Sequence, residues 1–281
     1  MQVSEVVTLL AASMAIRRNR ANYVKELSRV LMRFAEHIGD PPIDLVTAEQ
    51  LEAYIFRTAS PGGQQTTRNR LSALFSFAVR RRFIVQNPLA VVTEPLIPES
   101  RPPSIFTVED CKKLLTFAQS RPRALAWIVL GLFVGLRPSE AQRTTWEDIR
   151  FQSGTVLVHG ENSKTRRHRI IDLKPSAIRW LSVARSAGSE LPIRQQPIRR
   201  ELRRLRPVLS LDKWPQDVLR HTCASYDLAI SQDFTRTAWQ LGNSEKILLR
   251  HYYRVTDRET AEKFWSLLPT DQRQLELFPA L

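Results

Sequence analysis

Five short stretches of this chain carry side chains suited to one kind of chemistry. Arg137 stands in Gly135-Leu136-Arg137-Pro138-Ser139-Glu140, Lys164 in the polar turn Gly160-Glu161-Asn162-Ser163-Lys164, and Arg220 in Leu219-Arg220-His221. Asn243 follows in Leu241-Gly242-Asn243, and Tyr252 in His251-Tyr252-Tyr253. Two guanidinium groups, an ammonium and a phenol are the parts needed to grip a phosphodiester and attack it, because the pentacoordinate phosphorus must be stabilised by fixed positive charge. The chain has no HExxH, no paired CxxC and no cluster of carboxylates at metal-ligand spacing. Arginines are therefore expected to supply the charge that magnesium supplies at other phosphoryl-transfer sites, with no cofactor.

Each stretch also has a plainer reading. Arg137 alone could be a solvated residue at a joint between helices, with Glu140 capping or orienting its neighbours. Lys164, among Arg166, Arg167 and Arg169, could belong to a hairpin that only touches phosphates. Its ammonium becomes a proton donor to a leaving 5′-oxygen only if neighbouring cations and desolvation lower its pKa. Arg220 and His221 open a stretch expected to be helical, near the positive end of its dipole, where a phosphate is favoured. A tyrosine such as Tyr252, with Tyr253 as its rival, is most often a packing residue. A phenol, with an ordinary pKa of about 10, becomes a nucleophile only when cations surround it.

Composition fits a nucleic-acid partner. The 281 residues carry a formal net charge of +14, of which +3 falls in the first hundred residues and +11 in the remainder. A positive field of this size recruits polyanions, double-stranded DNA among them, and the excess of arginine over lysine suits bidentate phosphate contacts. Two cysteines, Cys111 and Cys223, give no disulfide framework and point to a reducing compartment. The apolar run at residues 1–15 contains Glu5 and is followed by Arg17-Arg18, which argues against a signal peptide. No apolar stretch is long enough for a bilayer span, so a cytoplasmic protein that joins the nucleoid when bound to DNA is expected, with no membrane partner.

The elements that must position these residues are mostly helices. Tyr23, Leu27, Val30, Leu31 and Phe34 recur at helical steps, and Gly39-Asp40-Pro41-Pro42 stops the pattern. Thr47 and Gln50 form a capping box ahead of Leu51, Tyr54 and Ile55. After a turn at Pro61-Gly62-Gly63, a long helix is expected from Thr66 to Arg82. Four prolines between Thr93 and Pro103 mark a stiff spacer, giving a helical domain over 1–92, a linker over 93–104 and a second domain over 105–281. In the second domain Thr107 caps a helix, and residues 124–134 are apolar on every side, as in a buried helix. Residues 155–158 and 168–171 read as two strands around the Lys164 turn. Helices then follow at 175–186, 196–205, 216–230, 233–241, 244–253 and 257–267.

The order and spacing of the five stretches resemble the tyrosine recombinase (phage integrase) family. That family carries Gly-Leu-Arg-x-x-Glu, then Lys-Thr on a β-hairpin, His-x-Leu-Arg-His, Leu-Gly-His and a tyrosine about nine residues later. The resemblance implies a fold that is mainly α with a small β-hairpin or sheet. A helical core-binding (SAM-like) domain would clamp the duplex from the face opposite an α+β catalytic domain. It casts Arg137 and Arg220 as the catalytic arginines, Lys164 as the hairpin lysine and Tyr252 as the residue joined to the DNA 3′-phosphate. The implied activity is site-specific cutting and rejoining of DNA through a 3′-phosphotyrosyl intermediate, independent of metal and ATP. A dimer would occupy each site and a tetramer would form at synapsis. Two positions depart from the pattern: Asp217 replaces the first histidine of His-x-Leu-Arg-His, and Asn243 replaces that of Leu-Gly-His. Asn243 is expected to donate a hydrogen bond to a phosphate oxygen. Asp217 would repel phosphate unless it caps the helix, pairs with Arg220 or stays protonated, and His221 is placed to supply the missing imidazole. The alternative is a catalytically impaired DNA-binding protein of the same fold. A relaxing, topoisomerase-like activity shares the chemistry. The apolar tail Leu275–Leu281 is read either as frayed or as docking on a neighbouring subunit.

Overall fold

The computed structural model describes residues 1–98, 103–160, 168–193, 195–252 and 255–269. Lys164, Tyr253 and the tail from 275 lie outside these residues, and so does the centre of the proline-rich stretch. The chain divides into two units, Met1–Ser100 and Arg101–Leu281.

The first unit is helical: α1 (Val3–Ile16), α2 (Ala21–His37), α3 (Ala48–Phe56) and α4 (Pro61–Arg80), with short 3₁₀ turns at Ile43–Leu45 and Pro88–Val91. The N-terminal apolar run is a core helix. Val3, Val6, Val7 and Leu10 are buried, and Asp40 serves the helix start by accepting from the Ser4 backbone N–H at 2.8 Å and its hydroxyl at 2.6 Å. The Thr47–Gln50 capping box forms as expected, with both reciprocal bonds present. The start of α4 differs from expectation. Ser60 caps it, Pro61 occupies the first turn, and the two glycines lie inside the helix rather than in a turn before it. Proline tolerates a first-turn position because its missing N–H would have no partner there anyway. Phe34 sits at the centre, edge-on to Tyr54 at 5.0 Å and Phe75 at 6.5 Å between ring centroids.

The second unit places a small sheet beside nine helices among its described residues. These helices are α5 (Val108–Gln119), α6 (Pro122–Leu132), the short α7 (Pro138–Ala141), α8 (Pro175–Ser186), α9 (Gln195–Val208), α10 (Val218–Ser231), α11 (Phe234–Leu241), α12 (Glu245–Tyr252) and α13 (Arg258–Trp265). The strands β1 (Ile149–Arg150), β2 (Thr155–Val158) and β3 (Arg169–Asp172) pair antiparallel in the order β1-β2-β3, with Val156 opposite Ile171. Two of these were expected as the hairpin; β1 is too short to show a period and escapes sequence reading. Helix α6 is the hub, with Leu125, Ile128, Val129, Leu130 and Leu132 all fully buried. Helix α10 is pinned from both ends of its chemistry: Thr222 accepts from the Phe106 N–H at 2.9 Å, and the Tyr226 hydroxyl donates to the Phe106 carbonyl at 3.1 Å. The fold is thus mainly helical with a small antiparallel sheet, as the sequence and its family resemblance indicated, and the sheet has a third strand beyond the expected hairpin. No helix among the described residues is long and apolar enough to cross a membrane.

Between α6 and α7 the chain turns at Gly135, whose φ of +71° is a conformation that side-chain-bearing residues rarely adopt. A Cβ there would lie 2.5 Å from Leu241 Cδ2 and 3.2 Å from Cys223 Sγ. The Gly135→Ala variant is therefore expected to lose about 2–4 kcal/mol, combining left-handed strain with overpacking. Urea unfolding with an unchanged m-value checks this, and a loss below about 1 kcal/mol would show that the turn relaxes freely.

Candidate active site

Three elements deliver three arginines to one place. Arg137 leads into α7, Arg169 opens β3, and Arg220 lies in the first turn of α10. All three meet the C-terminus of α11. That helix ends at Gly242, which takes a left-handed φ of +63°, and Asn243 N–H closes back on the Ala238 carbonyl at 2.9 Å. The last carbonyls of a helix have no partner within it and carry the negative end of its dipole. Here guanidinium groups occupy them. Arg169 Nε donates to Gln240 O at 2.8 Å, Arg220 Nη2 to Leu241 O at 2.6 Å, and Arg137 Nη2 to Gly242 O at 2.8 Å.

Asn243 continues the series through its side chain. Its Oδ1 accepts from Arg137 Nη2 at 2.9 Å and from Arg220 Nη2 at 3.1 Å, so one amide oxygen bridges the two guanidiniums. Its carbonyl holds the arginines, and the expected donor role toward a phosphate falls to the amide nitrogen. Arg220 also donates to the Gly135 carbonyl at 2.7 Å, which ties the turn before Arg137 to α10.

Glu140 is the carboxylate of this centre and is almost fully buried. It accepts from the Arg137 backbone N–H and from Arg137 Nη1, both at 3.0 Å. It also takes Arg169 in a two-toothed pair, Nη1 at 3.1 Å and Nη2 at 2.7 Å. Burial pushes the Glu140 carboxyl up, but Arg169 and then Arg137 hold it below the ordinary carboxylate value. Three guanidiniums thus face one carboxylate and a helix terminus. Burial first, and Arg137 second, lower the Arg220 pKa to about 10, which leaves it charged at neutral pH.

Tyr252, at the end of α12, packs with Ala224, Leu228, Ala238, Leu241 and Leu248 and is 4% exposed. Its hydroxyl lies 2.5 Å from His221 Nδ1. Burial raises the phenol to about 12; Arg220 and Arg137 pull it down, while Asp217 pushes it further up. Arg137, Arg220, His221, Asn243 and Tyr252 therefore share one site, and Asp217 adds a carboxylate to its field. Asp217 stands at the N-cap position of α10 with φ +51° and makes no side-chain cap bond, so capping, one of the three arrangements the sequence allowed it, is not what the structure has. Lys164 lies outside the described residues, in the sequence that joins β2 to β3. Sequence reading missed Arg169, naming it only as a basic neighbour of Lys164. The available signal was its alternation with Ile170 and Ile171 in a strand, which places it on the same face as the buried Ile171.

Comparison with known proteins shows the family and the fold. The sequence pattern of the Phage integrase family matches residues 104–259. Tyrosine recombinase XerD of Haemophilus influenzae is 29% identical over 151 residues, covering 51% of this chain and 50% of that protein. The chain spans about half the length of the curated relatives it matches. Among solved structures, a lambda integrase(75-356) dimer bound to a COC' core site superposes with a TM-score of 0.71 at 19% identity, covering 88% of this chain and 97% of that one. A lambda integrase tetramer bound to a Holliday junction gives a TM-score of 0.69 at 19% identity, covering 87% and 78%. With its motifs in family order, its fold shared with these integrases and the family pattern spanning most of the second unit, the chain belongs to the phage integrase family of tyrosine recombinases.

Proposed function

We propose that the chain is a site-specific DNA strand-transferase that cuts and rejoins DNA through Tyr252. The observation that carries this reading is the convergence of Arg137, Arg220 and Asn243 beside a phenol already hydrogen-bonded to an imidazole. In the forward step Tyr252 Oη attacks the phosphorus and its proton passes to His221 Nδ1. The bond from phosphorus to the 5′-oxygen breaks, that oxygen takes a proton from Lys164, and a 3′-phosphotyrosine remains. Arg137 and Arg220 stabilise the charge that builds on the non-bridging oxygens. Rejoining is the reverse, and the bond energy kept in the phosphotyrosine makes ATP unnecessary. Exposed Arg199, Arg200 and Arg203 on α9 offer the duplex backbone further cations. Assembly as a dimer on each site and a tetramer at synapsis is part of the same proposal, supported by the forms in which the related lambda integrase was solved.

The decisive test mixes the protein with a pool of nicked duplexes of randomised sequence and captures SDS-resistant protein–DNA adducts. Wild type should yield adducts enriched in one sequence, and Tyr252→Phe should yield none. Arg137→Ala and Arg220→Ala should each slow adduct formation by about 100- to 1000-fold. DNA binding with no adduct from wild type would leave the chain a binding protein only.

The pH profile tests His221. Burial keeps the phenol protonated up to about 12, so below that value the phenolate fraction rises tenfold with each pH unit. Without a base, kcat/KM should climb with unit slope until Arg220 begins to lose its proton near 10. In wild type the imaginable shortcut is the imidazole, which takes the proton at neutral pH. His221→Ala is therefore expected to fall about 100-fold below wild type at pH 7 and to converge on it toward pH 10. Parallel profiles would remove His221 from the proton path.

A second reading, a protein of impaired turnover, is favoured by Asp217, whose charge pushes the phenol up. If that carboxylate brakes the reaction, Asp217→Asn should cleave faster than wild type, because the phenol would lose a neighbour that holds it protonated. Slower cleavage would instead make Asp217 a working part of the site.

A further inference from the structure

The Arg169–Glu140 pair does work that neither the motif pattern nor the proposed chemistry assigns. Arg169 is 5% exposed, yet it stands at the first position of β3, directly after the stretch that carries Lys164 in sequence. Its guanidinium is used as a fork. Nη1 and Nη2 grip both oxygens of Glu140, and Nε reaches the Gln240 carbonyl at the end of α11. The same two carboxylate oxygens hold the Arg137 backbone and Nη1. Gly242 lies against the guanidinium: a Cβ on it would be 3.4 Å from Arg169 Cζ and Nη1. Arg169 thus touches the carboxylate that aims Arg137 and the turn that seats both other arginines.

We propose that Arg169 is a positioning residue for strand cleavage: through Glu140 it fixes the Arg137 guanidinium, and through β3 it fastens the strand leaving the Lys164 segment to the same arginine cluster. The role rests on the strand-transfer reading of this site, since it is the scissile phosphate that the aligned Arg137 would meet. A lysine keeps the charge but offers no planar fork, so it cannot hold both Glu140 oxygens and the Gln240 carbonyl together. Without Arg169, Glu140 is left with Arg137 alone in a buried place. The carboxylate is then free to draw that guanidinium off Gly242 O and Asn243 Oδ1. Misplacement by about 1 Å at a reacting centre costs on the order of 100-fold in rate.

Arg169→Lys, Arg169→Met and the milder Glu140→Gln are compared with wild type in two measurements. The first is the crystal structure of each variant, which does not depend on activity. Arg137 Nη2 should leave Gly242 O and Asn243 Oδ1 in both Arg169 variants, and finding it in place overturns the proposal. The second is single-turnover adduct formation on the nicked duplex recovered from the pool, together with the DNA Kd. The rate at saturating DNA should fall about 100-fold in Arg169→Lys, with Kd within threefold of wild type. A variant that only lowers Tm while its folded fraction cleaves at the wild-type rate would make Arg169 purely structural. Should Arg169→Met not fold, Arg169→Lys and Glu140→Gln carry both measurements. Should wild type form no adduct, the strand-transfer reading fails while the crystal structures still decide whether Arg169 sets Arg137.

Discussion

Everything at the site depends on gathering three guanidinium groups in a place shielded from water. Bare, such a trio would repel itself and lose the hydration that each cation prefers. The fold answers with the carbonyl end of α11, whose three successive oxygens from Gln240, Leu241 and Gly242 accept from Arg169, Arg220 and Arg137. A single buried carboxylate, Glu140, covers part of the remaining charge. What is left is a positive centre already held in shape, and an anion arriving there meets donors that need little rearrangement. Helix ends are better known for the amino terminus that welcomes phosphate. Here the opposite end acts indirectly, by keeping together the cations that would do so.

That arrangement explains why some of the site was legible in the amino-acid order and some was not. Arg137, Arg220 and Tyr252 sit in stretches whose neighbours impose local structure: a glycine turn, a helix start, a helix end. Asn243 was noticed for the same reason, but its bridging of two arginines was not, because which groups face an amide oxygen is a tertiary matter. Arg169 was lost among basic neighbours. Its type does not set it apart from Arg166 and Arg167 before it, and the alternation with Ile170 and Ile171 is a short signal for an inward side chain whose partner Glu140 lies 29 residues earlier. Helix α1 was missed as an element for a related reason: its apolar residues form a run rather than a stripe, and only packing against the rest of its unit reveals the buried face. The long helix α2 was readable because its apolar period, Leu27, Leu31 and Phe34, is the face it buries.

The two departures from the family pattern have different physical weight. Asparagine in place of histidine keeps a polar group that bridges the arginines, so the geometry of the centre does not suffer. Aspartate in place of histidine alters the charge beside the phenol and also sits in a left-handed backbone conformation, where aspartate is among the better-tolerated residues. His221, one helical turn further on, lies against the Tyr252 hydroxyl. An imidazole is thus present beside the phenol even though Asp217 stands where the family has its first histidine.

The deep seat of Tyr252 among Ala224, Leu228, Ala238, Leu241 and Leu248 has one more consequence. An ester formed on that oxygen would be sheltered from bulk solvent by the same apolar walls that raise the phenol pKa. Water would reach it rarely, whereas a 5′-hydroxyl still held by the duplex would remain close by. Under the proposed chemistry the lifetime of the linkage is then governed by which DNA end returns to it, and resealing outcompetes hydrolysis: a tyrosine left in the open would instead make a nuclease.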